Sequence, residues 1–339
     1  MIERRMRTFP DGFLWGAATA PHQVEGNNVN SDFWAQEERM PGADRSGDAL
    51  DSYHRYAEDI RLVAESGLNT YRFGIEWARI EPAPGRVSRA ALAHYRRMID
   101  ACLAAGVTPF VTIHHFTSPR WFSEEGGWRG ERAVDRFRAY AETATSILDG
   151  VEWVCTINEP NMLAIMVREA EATLDPGSGL EWLSPTLEAD TPRPVKPAPP
   201  VEIGRRLVEA HHAARDVLRE GTDARVGWSV ASRAFETRPG AEEVRRRLEY
   251  VWEDVYLEAA RGDDSRRIAY TTGALDALSQ ALGAGVDVQG YIHWSLLDNY
   301  EWGHWDPTFG LVAVDRETFE RRPKPSLAWL GGVAKANAL

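Results

Sequence analysis

Residues 69–113 decide the fold. Asn69-Thr-Tyr-Arg-Phe-Gly-Ile-Glu-Trp77 is a short apolar run set off upstream by Gly67, and it reads as a strand. Ser88 then stands as the N-cap of a helix with Leu92, Tyr95, Met98, Ile99, Cys102 and Leu103 on one face, ended by Gly106. Val107 to Ile113 is strand again. Strand, helix and strand joined by short turns predict a parallel sheet or barrel.

The same alternation extends both ways. Upstream, Phe13 to Thr19 reads as a strand. Leu50 to Glu65 reads as a helix through Tyr56, Ile60 and Val63. Downstream, Val134, Phe137, Tyr140, Ala141, Ala144, Ile147 and Leu148 mark a helix closed by Gly150, and Glu152 to Ile157 is a strand. A helix over Val201–Arg219, a strand over Arg225–Ala231, helices over Ala241–Arg261 and Ser265–Ala284, and a strand over Val288–Trp294 complete the pattern. Between Pro176 and Pro200 the pattern breaks, and seven of the 19 prolines there predict an irregular surface excursion. The count is six strands where a closed (β/α)₈ barrel needs about eight. Only Gly262-Asp-Asp264 separates the two consecutive helices between Ala231 and Val288.

Composition bounds the function. At 339 residues with 43% hydrophobic and 27% charged residues, the chain is globular, neither disordered nor collagen-like. A net charge of −12 argues against nucleic acid and anionic membrane as partners. No apolar run is long enough to span a bilayer, and the charged start Met1 to Arg7 leads into no apolar signal segment. Cys102 and Cys155 sit among apolar residues and are expected to be buried free thiols of a cytoplasmic protein. The 13 tryptophans are more than a core of this size requires and point to flat platforms for sugar rings.

In parallel α/β folds the chemistry gathers where strands end. Here the strand ends carry His22-Gln23-Val24-Glu25, then Arg72 and Glu76, then His114-His115, then Asn158-Glu159-Pro160, and lastly Asp298-Asn299-Tyr300-Glu301-Trp302. Several carboxylates, amides and aromatics at one rim suit glycoside chemistry. One acid protonates the leaving oxygen, a second carboxylate attacks or activates water, and amides and indoles hold the sugar. The plainer reading of any one of them is a helix cap or a loop hydrogen bond. His114 and His115 point to opposite sides of a strand and cannot share a metal from it, and no His/Cys spacing resembles a zinc site. Trp15, Trp153 and Trp228 lie inside predicted strands and read as core.

These motifs resemble glycoside hydrolase family 1, the β-glucosidase family. Phe13-Leu-Trp-Gly-Ala-Ala-Thr-Ala-Pro-His-Gln-Val-Glu-Gly26 is similar to its N-terminal signature, Tyr71 to Ile80 to its second strand, and Val111 to Phe116 to its third. Thr156-Ile-Asn-Glu-Pro160 is similar to its acid/base motif. Trp294-Ser-Leu-Leu-Asp-Asn-Tyr-Glu-Trp302 with Phe309-Gly-Leu311 is similar to its glycon-binding segment. The resemblance implies a TIM-barrel retaining β-glycosidase without a cofactor, acting on a small-molecule glycoside or oligosaccharide. It gives Glu159 the acid/base role and assigns Asn158 to the sugar 2-hydroxyl. Gln23 and His115 fall to the ring hydroxyls, Glu301 to O4 and O6, and Trp294 and Trp302 to the sugar faces. Arg72 pairs with the nucleophile.

One part is missing. The family's nucleophile lies in a Thr-Glu-Asn-Gly motif that this sequence does not contain. Ala259-Ala-Arg-Gly-Asp-Asp264 resembles the approach to strand six, and Ser265 to Tyr270 resembles the helix after strand seven. The expectation is therefore one barrel-like domain over residues 1–339 with an internal deletion near 264/265. The lost span is on the order of 60–80 residues, since one β/α unit takes about 30. Three functional readings remain: a β-glycosidase in which Glu301 or Glu76 replaces the nucleophile, a sugar-binding pseudoenzyme, or a truncated scaffold. The two unpaired sheet edges are expected to promote self-association.

Overall fold

A computed structural model of the chain describes residues 7–172, 200–231 and 264–339. Its first half runs β1 (Leu14–Ala18), α1 (Pro21–Val24), α2 (Asp32–Glu37), α3 (Ser52–Ser66), β2 (Thr70–Gly74), α4 (Trp77–Ile80), α5 (Arg89–Ala104) and β3 (Thr108–His114). It continues through α6 (Arg120–Glu124), α7 (Ala133–Thr145), β4 (Trp153–Ile157), α8 (Pro160–Ala172), α9 (Val201–Gly221) and β5 (Arg225–Gly227). Then come α10 (Ser265–Gly283), β6 (Gly290–Trp294), β7 (Val312–Val314), β8 (Arg321–Pro323) and α11 (Pro325–Ala336).

Six parallel strands form one sheet in the order β5-β4-β3-β2-β1-β6, a half-barrel with β5 and β6 as edges. Every ladder is parallel, as the strand–helix alternation predicts. Among the described residues β5 and β6 do not pair with each other, so the sheet is an incomplete (β/α)₈ barrel. The junction expected near 264/265 has its upstream side outside the described residues, as do the predicted helix over 241–261 and nearly all of the proline-rich excursion.

Capping explains where the elements stop. Ser88 Oγ accepts the amide of Ala91 at 3.2 Å, as a cap should. Gly67 closes α3 with φ of +101°, and a Cβ there would collide with the Lys335 side chain of α11. The strand expected to run to Trp77 ends at Gly74 instead. The Glu76 carboxylate folds back onto the amide of Ala78 (3.1 Å) and starts α4. The last two strands are also shorter than expected, because as edges each has a ladder on one side only.

The core lies between the outer face of the sheet and the helices. Phe9, Phe13 and Trp15 pack with ring centroids 4.8–5.0 Å apart, and all three are buried. α7 packs on α9, where Leu207, Ala210, Ala214 and Leu218 repeat at helical spacing, while Phe137 and Tyr140 of α7 pack on Trp77. Burial of each large side chain contributes about 1.5–3 kcal/mol. The buried Asp59–Arg321 pair, with Nε to Oδ1 at 2.9 Å, ties α3 to the β7–β8 hairpin.

Candidate active site

The strand ends bring the sequence-predicted residues into two series of contacts. Pro21 opens α1 directly after β1 and places Gln23 wholly inside the protein. Its amide nitrogen donates to Asn299 Oδ1 and to the Tyr300 carbonyl, both at 2.9 Å. Its Oε1 is buried and takes no hydrogen bond among the described residues. Trp294 ends β6, and its indole donates to Glu301 Oε1 at 3.2 Å. A face of the Trp294 ring stacks on His115, at 5.6 Å and 23°. Trp302, at φ of +49°, stacks on His22 at 5.9 Å and meets Phe33 and Phe116 edge-on.

Arg72 and Asn158 form the second series. Arg72 Nη2 donates to Asn158 Oδ1 at 2.6 Å, and Nε donates to Thr112 Oγ1 at 2.9 Å. Asn158 Oδ1 also accepts from Ser229 Oγ at 2.9 Å. The Glu159 amide donates to the Ser229 carbonyl (3.0 Å) and hydroxyl (3.2 Å), which fixes Glu159 at a left-handed φ of +44° before α8 begins. Among the described residues no carboxylate lies within ion-pair reach of Arg72.

The electrostatics follow from burial. The Glu301 carboxyl is pushed up to about 8 by desolvation, against hydrogen bonds from Trp294, Gln23 and Asn299. Burial, and then the nearby charge of Arg72, hold the His115 imidazole well below its ordinary range, so it is neutral, and its Nδ1 has no partner among the described residues. Glu76 is also raised, to about 7, by burial and by the negative charge of Glu25. It caps α4 and accepts from Thr117 Oγ1 at 2.8 Å, so it serves the fold and sits apart from the series above.

Several contributors were invisible as sequence. Ser229 carries no motif of its own, yet it holds Asn158, and Asn299, quoted within a motif but given no role there, accepts from Gln23. Glu37 lies behind His22 at 3.7 Å; burial works to raise its carboxyl, but hydrogen bonds from His22 and Ser46 outweigh it and keep it low. His114 turns away from His115 into Trp77, Trp128 and Phe137, with Nε2 3.0 Å from Ser118 Oγ. Of the three tryptophans expected in the core, only Trp15 is fully buried. Trp153 faces the barrel interior, and Trp228 lies past β5, stacked on His211 at 4.4 Å.

Comparisons with known proteins agree on one family. The profile described as "Glycosyl hydrolase family 1" matches residues 5–246 and 252–339. Thermostable beta-glucosidase B of Thermobispora bispora is 29% identical over 433 aligned positions, covering 98% of this chain and 92% of that protein. Beta-glucosidase A of Thermotoga maritima is 28% identical over 442 positions, covering 98% and 99%. Alignments longer than the 339-residue chain mean that both relatives have internal residues without a counterpart here. The crystal structure of beta-glycosidase BGL167 superposes with a TM-score of 0.80 at 36% identity, covering 98% of each chain. A beta-glucosidase named 1317 superposes at 0.78 with 35% identity, covering 96% of this chain and 98% of the other. With its strand order, its site motifs and these relatives in agreement, the chain belongs to glycosyl hydrolase family 1.

Proposed function

We propose that this β-glycosidase-like chain holds a β-linked glycoside by its terminal sugar and cleaves it slowly or not at all, with Glu159 as general acid/base and no protein nucleophile. Gln23 and His115 take ring hydroxyls, Glu301 takes O4 and O6, and Asn158 takes the 2-hydroxyl. Trp294 and Trp302 cover the sugar faces. The unpartnered Gln23 Oε1 and His115 Nδ1, both buried, are what a pocket awaiting sugar hydroxyls leaves open.

The observation that carries the proposal is the state of Arg72. A retaining glycosidase sets two carboxyls about 5–5.5 Å apart, one of them covalently active. Here the guanidinium donates to the Asn158 side-chain oxygen, and no described carboxylate joins it. Neither substitute named from sequence is placed to replace it: Glu76 is engaged by Thr117 and Ala78, and Glu301 by Trp294. We read the chain as one domain with an internal deletion near 264/265. Cys102 and Cys155, buried and free, support a cytoplasmic location. Among the described residues no helix is long and apolar enough to cross a membrane.

The test combines three measurements. Calorimetry with a thio-linked β-glucoside should show saturable binding that Glu301→Ala weakens. Intact-mass analysis after exposure to a 2-deoxy-2-fluoro β-glucoside should show no adduct. Hydrolysis of an activated aryl β-glucoside should fall far below the usual enzymatic range of about 1–1000 per second, and azide should raise it while giving the inverted glycosyl azide. A stoichiometric adduct on Glu301 or Glu76 with turnover inside that range would overturn the missing-nucleophile reading. Absence of sugar binding would overturn the pocket.

A further inference from the structure

A cavity of about 660 Å³ lies inside the half-barrel and shares Arg72 and Ser229 with the contacts described above, and all six strands of the main sheet line it. Its floor is set by strand register. Arg72 of β2 pairs with Phe110 of β3, Phe110 with Trp153 of β4, and Trp153 with Arg225 of β5. The four side chains follow one another in that order, with the two rings tilted by 40°. The Arg72 guanidinium lies 5.8 Å from the Phe110 ring, Phe110 lies 6.2 Å from Trp153, and the Arg225 guanidinium lies 4.7 Å from Trp153. Two aromatic faces are thus bracketed by two cations. Phe110 and Trp153 are only half-buried, so their faces are reachable.

The charge of the lining is unusual for this protein. The chain as a whole carries 51 acidic and 39 basic side chains. Three arginines, Arg72, Arg219 and Arg225, line the cavity, and none of the described residues that line it is an Asp or Glu. None of the three arginines has an ion-pair partner among the described residues. Leu14 and Ile292 supply the apolar wall on the β1 and β6 side. The volume is that of a small-molecule site, which ranges over about 300–1,000 Å³.

We propose that this cavity is a second ligand site, adjoining the sugar pocket at Arg72, for a flat aromatic carboxylate whose ring lies on Phe110 and Trp153 and whose anionic head meets Arg72. Ring stacking and burial favour an apolar, planar body. The head is assigned to Arg72 rather than to Arg225 or Arg219 because Arg72 is half-buried, whereas the other two are exposed to water, which weakens their pull on an anion.

The test uses 2-naphthoate, ionised at neutral pH, and its uncharged isostere 2-naphthamide, titrated calorimetrically into the full chain without sugar. The outcome is therefore separate from that of the glycoside assays. Naphthoate should saturate one site and bind about 10–100-fold more tightly than the amide, the range of one charge-assisted hydrogen bond. Arg72→Gln should remove that preference, and Arg225→Gln should leave it within about threefold. Gly227 lines the cavity, and a Cβ built on it meets nothing within 4 Å. Gly227→Leu should therefore occupy the space with an unchanged urea midpoint and abolish binding. Equal binding of acid and amide, binding that survives Gly227→Leu, or dependence on Arg225 without dependence on Arg72 would each overturn the proposal. The acid–amide comparison on the unaltered chain decides the matter even where Arg72→Gln does not fold.

Discussion

Glu301→Gln should make the chain more resistant to unfolding in alkaline solution while leaving it unchanged in mild acid. The folded Glu301 carboxyl titrates at about 8 against an ordinary value of 4.5, because burial disfavours its charge. The folded state therefore holds this proton more tightly than the unfolded state. The contribution of Glu301 to stability is greatest below about pH 4.5, declines as pH rises through that interval, and levels off above about 8. At about 1.4 kcal/mol per pH unit the interval sets a ceiling of about 5 kcal/mol, and partial access to water lowers it to about 2–3 kcal/mol. Glutamine does not titrate but keeps an oxygen for the Trp294 indole, so the variant lacks this decline. Urea unfolding followed by tryptophan fluorescence from pH 5 to 9 reads the difference, expected as a midpoint gap opening to about 1 M at pH 9. Asp32 and Glu76, raised to about 6 and about 7, titrate in the same window in both proteins, so the difference isolates Glu301. Parallel midpoint profiles across the range would refute the reasoning, since they would mean that Glu301 is ionised in the folded chain.

Asp59→Ala leaves the Arg321 guanidinium buried without its carboxylate, and calorimetric or urea unfolding should register a loss of about 3–5 kcal/mol. Ser88→Ala removes one side-chain cap from α5 and should cost about 1 kcal/mol by the same measurement. The edges of β5 and β6, each without a second partner strand among the described residues, should give concentration-dependent self-association in sedimentation velocity, and a single monomer boundary at all concentrations would argue that these edges are covered.

The main sheet was legible because buried parallel strands are apolar runs and its helices bury one face at a period of 3.6 residues. The β7–β8 hairpin was not, since Arg321-Arg322-Pro323 has no apolar alternation and pairs only because Val312–Val314 lies opposite. The end of β2 was misplaced for a local reason: the side chain of Glu76 competes for a backbone amide, which hydropathy does not express. At the site, Gln23, His115, Asn158, Glu159, Glu301 and the two indoles could be named as candidates because they sit in motifs at strand ends. Ser229 acts through tertiary contacts with Asn158 and Glu159. The Arg72–Phe110–Trp153–Arg225 stack depends on register between strands far apart in sequence, which no local pattern carries.

The position of β1 in the sheet has a consequence for biosynthesis. It is the first strand to be made, yet it lies second from the edge, between β2 and β6. Five of its residues, Leu14 to Ala18, pair with Gly290 to Trp294. At roughly 5–20 residues per second, translation exposes β1 on the order of tens of seconds before its second neighbour leaves the ribosome. During that interval one backbone edge of β1 is unsatisfied and its inner face is uncovered on the β6 side. The nascent chain therefore presents a recognition element for chaperones, and its yield on expression depends on how quickly the C-terminal third arrives.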